Sequence, residues 1–169
     1  MRAWLLAPAL LLLQGCAAVD PVESYRAAAR SLEFRLEAIR PRLDLQLPPD
    51  RSSLVLGIDL EVKNPSQRRL AARSLGGKVH LEQGGGSFFL GEISFPAGVE
   101  LEAQSTRTVR AELRLPYREL RVAWPAVQEA VLHQAAAVWR LEGKAALDLL
   151  GVPFELPLRA SKGTGGPRP

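Results

Sequence analysis

Cysteine and histidine, which serve often as nucleophiles, general bases and zinc ligands, are rare in this sequence. Among the 169 residues there are one cysteine, Cys16, and two histidines, His80 and His133. One cysteine can neither close an internal disulfide nor build a cysteine-rich zinc site. Glu129 lies four residues before His133, a helical spacing that favours a surface pair over a metal site. Four interpretations are open for Cys16: a redox thiol, a catalytic nucleophile, a buried apolar residue or a point of attachment.

The sequence lacks the motifs of the common enzyme classes. It contains no Gly-x-Ser-x-Gly, no phosphate-binding loop and no dinucleotide fingerprint. The glycines at 84–86 lie between two alternating segments, which predicts a hairpin turn. We therefore expect no enzymatic activity, no cofactor and no metal.

Charge and aromatic content argue against a nucleic-acid partner. The formal net charge is +4, but arginine and glutamate alternate along the chain, which is typical of a mixed, solvated surface. Aromatic residues make up only 6%, and the alternation predicts inner faces for four of them: Phe34, Phe89, Phe95 and Trp139.

The N-terminus has the pattern of a secretory signal. Met1 and Arg2 precede an uncharged apolar run from Ala3 to Leu13. Because a helix needs about 20 residues to cross the hydrocarbon layer, this run is too short for a membrane span. It has the length of a signal-peptide core, and small residues follow it. A buried N-terminal helix is the alternative.

The residues Leu13-Gln14-Gly15-Cys16 resemble a bacterial lipobox. The resemblance implies that the Cys16 thiol receives diacylglycerol, that a signal peptidase cleaves between Gly15 and Cys16, and that the new amine is acylated. Two or three acyl chains form a stable membrane anchor. Ala17, where an aspartate would resemble an inner-membrane retention signal, favours the outer membrane, with the domain facing the periplasm.

Composition then divides the chain into four parts. Residues 1–15 are the signal peptide, 16–31 a lipidated tether without a core-facing stripe, and 32–160 one domain. The Gly/Pro-rich residues 161–169 are expected to form a disordered tail.

Alternation of apolar and polar residues dominates the domain and predicts strands. The clearest run has five apolar residues at every second position: Leu54, Leu56, Ile58, Leu60 and Val62. About seven such strands, each with one polar face, need a second sheet to bury their apolar faces. We predict a mostly β, antiparallel sandwich of the immunoglobulin or fibronectin III type.

One segment has helical spacing instead. Leu120, Trp124, Val127 and Val131 recur at helical intervals, and Pro125 is favourable in a first helical turn. The sequence predicts one helix near residues 125–137.

The segment from Leu54 to Gly85 has a characteristic order. An alternating strand ends in Asn64-Pro65, a second strand follows, and a glycine-rich turn closes the segment. This order resembles the late embryogenesis abundant (LEA) group 2 domain, also called the WHy (water stress and hypersensitive response) domain. The helix and closing hairpin continue the resemblance over most of the domain, with Gly143 as the small residue of that hairpin.

Asn64-Pro65 also has a structural explanation that needs no family. Proline cannot donate to a strand ladder, and an asparagine side chain can cap a turn. We predict that this pair forms a structural turn that ends a strand. Ser66 stands where the family often has a second asparagine.

The resemblances imply a non-enzymatic envelope lipoprotein with a structural or stress- and desiccation-protective role. The membrane is the expected partner, through the lipid anchor. Two alternatives are a module that binds an apolar ligand such as a lipid, and an accessory subunit of an envelope protein complex.

Overall fold

Two antiparallel sheets pack face to face, which confirms the predicted β-sandwich. The computed structural model describes residues 21–165. In chain order its elements are α1 (Pro21–Arg30), β1 (Glu33–Asp44), a 3-10 helix (Pro49–Arg51), β2 (Ser53–Asn64), β3 (Leu70–Gln83), β4 (Gly86–Ser94), β5 (Val99–Leu101), β6 (Ser105–Pro116), α2 (Tyr117–Leu120), α3 (Trp124–Val131), β7 (Ala137–Leu149) and β8 (Val152–Thr164).

The smaller sheet has the order β1-β2-β6, with β2 in the centre. The apolar residues that alternate along β2 are buried, as the period of two requires: Leu54, Leu56, Ile58, Leu60 and Val62. The polar face of the same strand also contains buried groups, Ser53 and Asp59, because strands on both sides flank it.

The larger sheet has the order β4-β3-β7-β8, and the short strand β5 also pairs with β3. In its centre, Gly77 of β3 pairs with Gly143 of β7. A Cβ atom on Gly143 would lie 1.9 Å from the carbonyl oxygen of Gly76, so these strands approach more closely than any side chain allows. Trp139, on the inner face of β7, is fully buried.

Helices and loops cover the two ends of the sandwich. The α1 end consists of α1, the β2–β3 turn (65–69), the β5–β6 turn (102–104) and the β7–β8 turn (150–151). The α3 end consists of the β1–β2 loop (45–52), the β3–β4 turn (84–85), α2 and α3.

The predicted helix at 125–137 is too long at its C-terminus. Helix α3 ends at Val131, and Ala137 already belongs to β7. Gln134 has a φ of 52°, a left-handed conformation that interrupts a helix. Pairing of Ala137 with Gln83 and Thr164 outweighs the helix propensity of the alanines.

Part of the predicted tether is folded. Residues 21–30 form helix α1, whose Ala28 and Ala29 are buried against the core. The prediction of a segment without a core-facing stripe was wrong here, because two methyl groups suffice for close packing of a helix. Pro21 opens the helix, where proline is favourable.

The predicted disordered tail also begins too early. Strand β8 continues through Ser161 to Thr164 and pairs with β7. A backbone ladder does not require apolar side chains, so composition alone does not show where this strand ends. In addition, the indole Nε1 of Trp139 donates to Thr164 Oγ1 at 2.7 Å.

One predicted inner-face residue is on the outside. Phe89 is 53% exposed, whereas Phe95 and Trp139 are buried and Phe34 is partly buried. The ladder between β3 and β4 shifts register between Val79 and His80. This bulge reverses the alternation, so that Leu90 is buried instead of Phe89.

Candidate functional site

The two histidines lie apart on the surface. The imidazole Nδ1 of His133 is 3.0 Å from Glu129 Oε1, and both side chains are at least half exposed. His80 packs beside Phe89, with 5.5 Å between the ring centres. Among residues 21–165, the one side-chain hydrogen bond of a histidine is the exposed contact between His133 and Glu129.

Metal-ligating groups do not converge in the part of the chain that the structure describes. Within residues 21–165 no group of three or more His, Cys, Asp or Glu side chains is close enough to hold a metal ion.

The buried carboxylate of Asp59 lies on the outer face of the smaller sheet. One of its oxygens accepts a hydrogen bond from Arg40 at 2.5 Å, and the other is 3.6 Å from Arg110. The hydrogen bond and the charge of Asp59 raise the pKa of Arg40. This arrangement of a carboxylate between two guanidinium groups is that of a structural ion-pair cluster.

An open cleft of about 440 Å³ lies where the edges of β1 and β8 adjoin. Its lining includes Phe34 and four charged residues, Arg35, Arg140, Glu142 and Arg159. Arg140 pairs with Glu82 at 2.9 Å. This charged lining does not suit the apolar ligand that one alternative expects.

Asn64 is the last residue of β2 and is fully buried. Its amide nitrogen is within hydrogen-bond distance of three backbone carbonyl oxygens, those of Arg68 at 2.8 Å, Leu101 at 3.2 Å and Glu102 at 2.9 Å. Its oxygen accepts from the backbone N–H and the hydroxyl of Ser66. Pro65 follows at the start of the β2–β3 turn. Asn64 thus joins the two sheets at the α1 end. Both polar atoms of its side chain are engaged in these hydrogen bonds, which indicates a structural role.

The β7–β8 turn carries a feature that the sequence analysis missed. Leu150 has a φ of 56° and Gly151 a φ of 85°, and Leu150 is 60% exposed. Two-residue hairpin turns of this kind favour Asn-Gly or Asp-Gly, because a branched aliphatic residue is strained at positive φ. The sequence clue to this strained turn is a leucine at a hairpin position that usually holds a small polar residue.

Asp148 holds this turn in place. Its carboxylate accepts a hydrogen bond from the backbone N–H of Gly151 at 2.6 Å and pairs with Arg73 on β3. The Arg73 hydrogen bond, followed by that from Gly151, keeps the pKa of Asp148 below its ordinary value of 3.8.

Large exposed apolar side chains also occur at the α3 end. Leu47 is 89% exposed and Val122 is 86% exposed. They lie in the β1–β2 loop and between α2 and α3, respectively.

Gly15 and Cys16 lie outside the described residues, so their predicted roles in cleavage and lipidation stay predictions. Among residues 21–165 the helices are too short or too polar to cross a membrane.

Comparison with known proteins gives structural similarity only. No model of a known protein family matches the chain, and no curated protein matches it significantly. Similar solved structures include a protein from Archaeoglobus fulgidus, with 14% identity, a TM-score of 0.44, and coverage of 79% of this chain and 98% of the other. A protein from Arabidopsis thaliana has 18% identity, a TM-score of 0.47, and coverage of 79% and 87%.

A provisionally assigned late embryogenesis abundant protein is also similar, with 13% identity and a TM-score of 0.47. The match covers 84% of this chain and 75% of that protein. At such identities and TM-scores, these similarities bear on neither function nor ligand.

Proposed function

We propose that this protein is a non-enzymatic lipoprotein of the cell envelope, held by lipid on Cys16 and facing the periplasm from the outer membrane. The observation that carries the proposal is the lipobox-like Leu13-Gln14-Gly15-Cys16 placed directly before a folded domain. Cys16 precedes Pro21, the first residue of α1, by five positions. Five backbone steps span at most about 18 Å, so an anchor at Cys16 keeps the domain close to the bilayer.

The proposed role of the domain is structural or protective during water stress. The support is the order of elements between Leu54 and Gly85, which resembles the LEA group 2 domain, with Asn64 joining the sheets at the strand end. Survival of a deletion strain after drying tests this role. Survival equal to that of the parent strain contradicts it.

Replacement of the cysteine tests the anchor. Cys16→Ser is expected to abolish incorporation of labelled palmitate and to release the protein from the membrane fraction. The matched control is Cys16→Ser combined with Ala18→Cys, which keeps one thiol but places it outside the lipobox pattern. This control is expected to stay unlabelled. Palmitate labelling that persists in Cys16→Ser contradicts the proposal.

A second candidate function is that of an accessory subunit of an envelope complex. The observation that favours it is the exposure of two large apolar side chains, Leu47 and Val122, at the same end of the sandwich, since a partner protein bound there would remove them from water. Native mass spectrometry of the detergent-extracted protein distinguishes the candidates. A stoichiometric protein partner favours the subunit, and co-purifying lipid in a defined ratio favours ligand binding.

A further inference from the structure

Helix α1 fixes which end of the sandwich lies nearest Cys16. The guanidinium carbon of Arg68, in the β2–β3 turn, lies 5.3 Å from the centre of the Tyr25 ring. Tyr25 is four residues, or about 6 Å of helix, from Pro21. The chain therefore enters the described structure at the α1 end. A lipid on Cys16 would place this end toward the bilayer.

The β7–β8 turn belongs to the same end. Asp148, which precedes the turn, pairs with Ala71 at the beginning of β3, and β3 begins directly after the β2–β3 turn that contains Arg68. The hairpin tip, which we define as Leu150, Gly151 and Val152, is thus the outermost part of the larger sheet at the α1 end.

This tip is apolar and exposed. Leu150 is 60% exposed and Val152 is 39% exposed. An aliphatic residue at positive φ is costly in a turn where asparagine or glycine would fit. A strained conformation that also exposes an apolar side chain points to a role outside the fold.

Arginines accompany the tip at this end. Arg26 and Arg30 share one carboxylate, Glu23, at 3.4 Å each. Arg68 stacks on Tyr25 and has no ion pair with another described residue. With Arg69 and Glu102 of the two adjoining turns included, the α1 end holds four arginines against two glutamates, an excess of 4 − 2 = +2, which complements lipid phosphates.

We propose that the hairpin tip enters the membrane interface, with Leu150 and Val152 among the upper acyl chains and the α1-end arginines at the phosphates. The proposal rests on the lipid anchor, which brings this end to the bilayer. The tip acts as a second, non-covalent contact that orients the domain. Asp148 and Arg73 hold its backbone rigid, so little conformational entropy is lost on insertion.

Fluorescent labelling of the full-length lipoprotein tests the insertion. The protein with Leu150→Cys carries a polarity-sensitive dye and is reconstituted into vesicles of phosphatidylethanolamine and phosphatidylglycerol. Leu47→Cys, at the opposite end, is the matched control. Val152→Cys is a second tip variant. It leaves Leu150 and its positive φ unchanged, so it still tests the insertion if Leu150→Cys disturbs folding.

We expect dye at the tip to emit at shorter wavelength, to be quenched by a quencher on the lipid chains and to be shielded from aqueous iodide. Dye at position 47 is expected to show the opposite. If the protein floats with the vesicles but iodide quenches the dye at both positions, the insertion is refuted while the anchor stands.

Other outcomes separate the remaining explanations. Shielding of the tip without quenching from the lipid chains indicates a second copy of the chain as the occupant and overturns insertion. Failure of the protein to float with the vesicles contradicts the anchor, and the insertion then falls with it.

Discussion

The side-chain amide nitrogen of Asn64 lies 2.9 Å from the backbone carbonyl oxygen of Glu102. Asn64 ends β2 in the smaller sheet, and Glu102 follows β5 of the larger sheet. The contact joins the sheets where the chain crosses between them, and it satisfies a carbonyl group that strand pairing leaves free. A buried amide in this position stabilises the fold through hydrogen bonds rather than through apolar contact.

Removal of this amide should destabilise the domain strongly. Asn64→Ala removes a buried donor shared by the carbonyls of Arg68, Leu101 and Glu102. It also removes the acceptor of the Ser66 backbone N–H, and we expect a loss of about 3 kcal/mol in the free energy of unfolding. Urea unfolding followed by tryptophan fluorescence measures the loss. Ser66→Ala, which removes a hydroxyl that bonds Asn64 and the exposed backbone of Arg68 but keeps the buried amide, is the control. Equal stability of the two variants would contradict this role.

The close approach of Gly143 and Gly77 gives a second prediction. A Cβ atom on Gly143 would lie 1.9 Å from the carbonyl oxygen of Gly76, so Gly143→Ala forces the strands apart. We expect a loss of about 3 kcal/mol in unfolding free energy. Gly163→Ala is the control in the partner strand, because its nearest contact is 3.9 Å away. Equal thermal unfolding temperatures for the two variants would refute the steric argument.

The strained leucine of the hairpin tip predicts a gain in stability. Leu150→Asn places a residue that tolerates positive φ at position 150, and we expect the free energy of unfolding to rise by about 1 kcal/mol. Val152→Asn, at a position without positive φ, should give no gain. Chemical unfolding of both variants in the same detergent supplies the comparison. A loss of stability in Leu150→Asn would show that the leucine serves the fold.

The lowered pKa of Asp148 predicts that part of the domain's stability is lost at acidic pH. The pKa of Asp148 is lowered in the folded state, first by the Arg73 hydrogen bond and then by that from Gly151, so its charged form favours folding. This contribution is complete above the ordinary value of 3.8 and is lost as the pH falls from there through the lower folded pKa. Unfolding free energy measured across this range should fall less steeply in Asp148→Asn. Parallel curves for the two proteins would contradict the assignment.

The sandwich could be predicted because a strand that buries one face must alternate apolar and polar residues. The apolar row of β2 from Leu54 to Val62 shows this alternation. The sequence did not predict the burial of Ala28 and Ala29, since short methyl stripes resemble a flexible polar segment. The outward position of Phe89 depends on a bulge that only the pairing of β3 with β4 creates. The helix end near Gln134 likewise depends on strand pairing that begins at Ala137.

The candidate site was less predictable than the fold. Asn64 was recognisable as a strand end from the proline that follows it. Its three carbonyl partners, however, come from the β2–β3 turn and from the distant end of β5 with the residue after it. Leu150 drew no attention because an exposed leucine has no motif. Its significance depends on its positive φ and on its place at the same end as Tyr25 and Arg68.

The intact mass of the protein purified from membranes tests lipid attachment at Cys16 most directly. We predict a chain that begins at Cys16, lacks residues 1–15 and carries the added mass of one diacylglyceryl group in place of the thiol hydrogen, with or without a further acyl group. Fragmentation should place the added mass on Cys16. A membrane-purified chain that retains residues 1–15 and carries an unmodified Cys16 thiol would contradict the anchor.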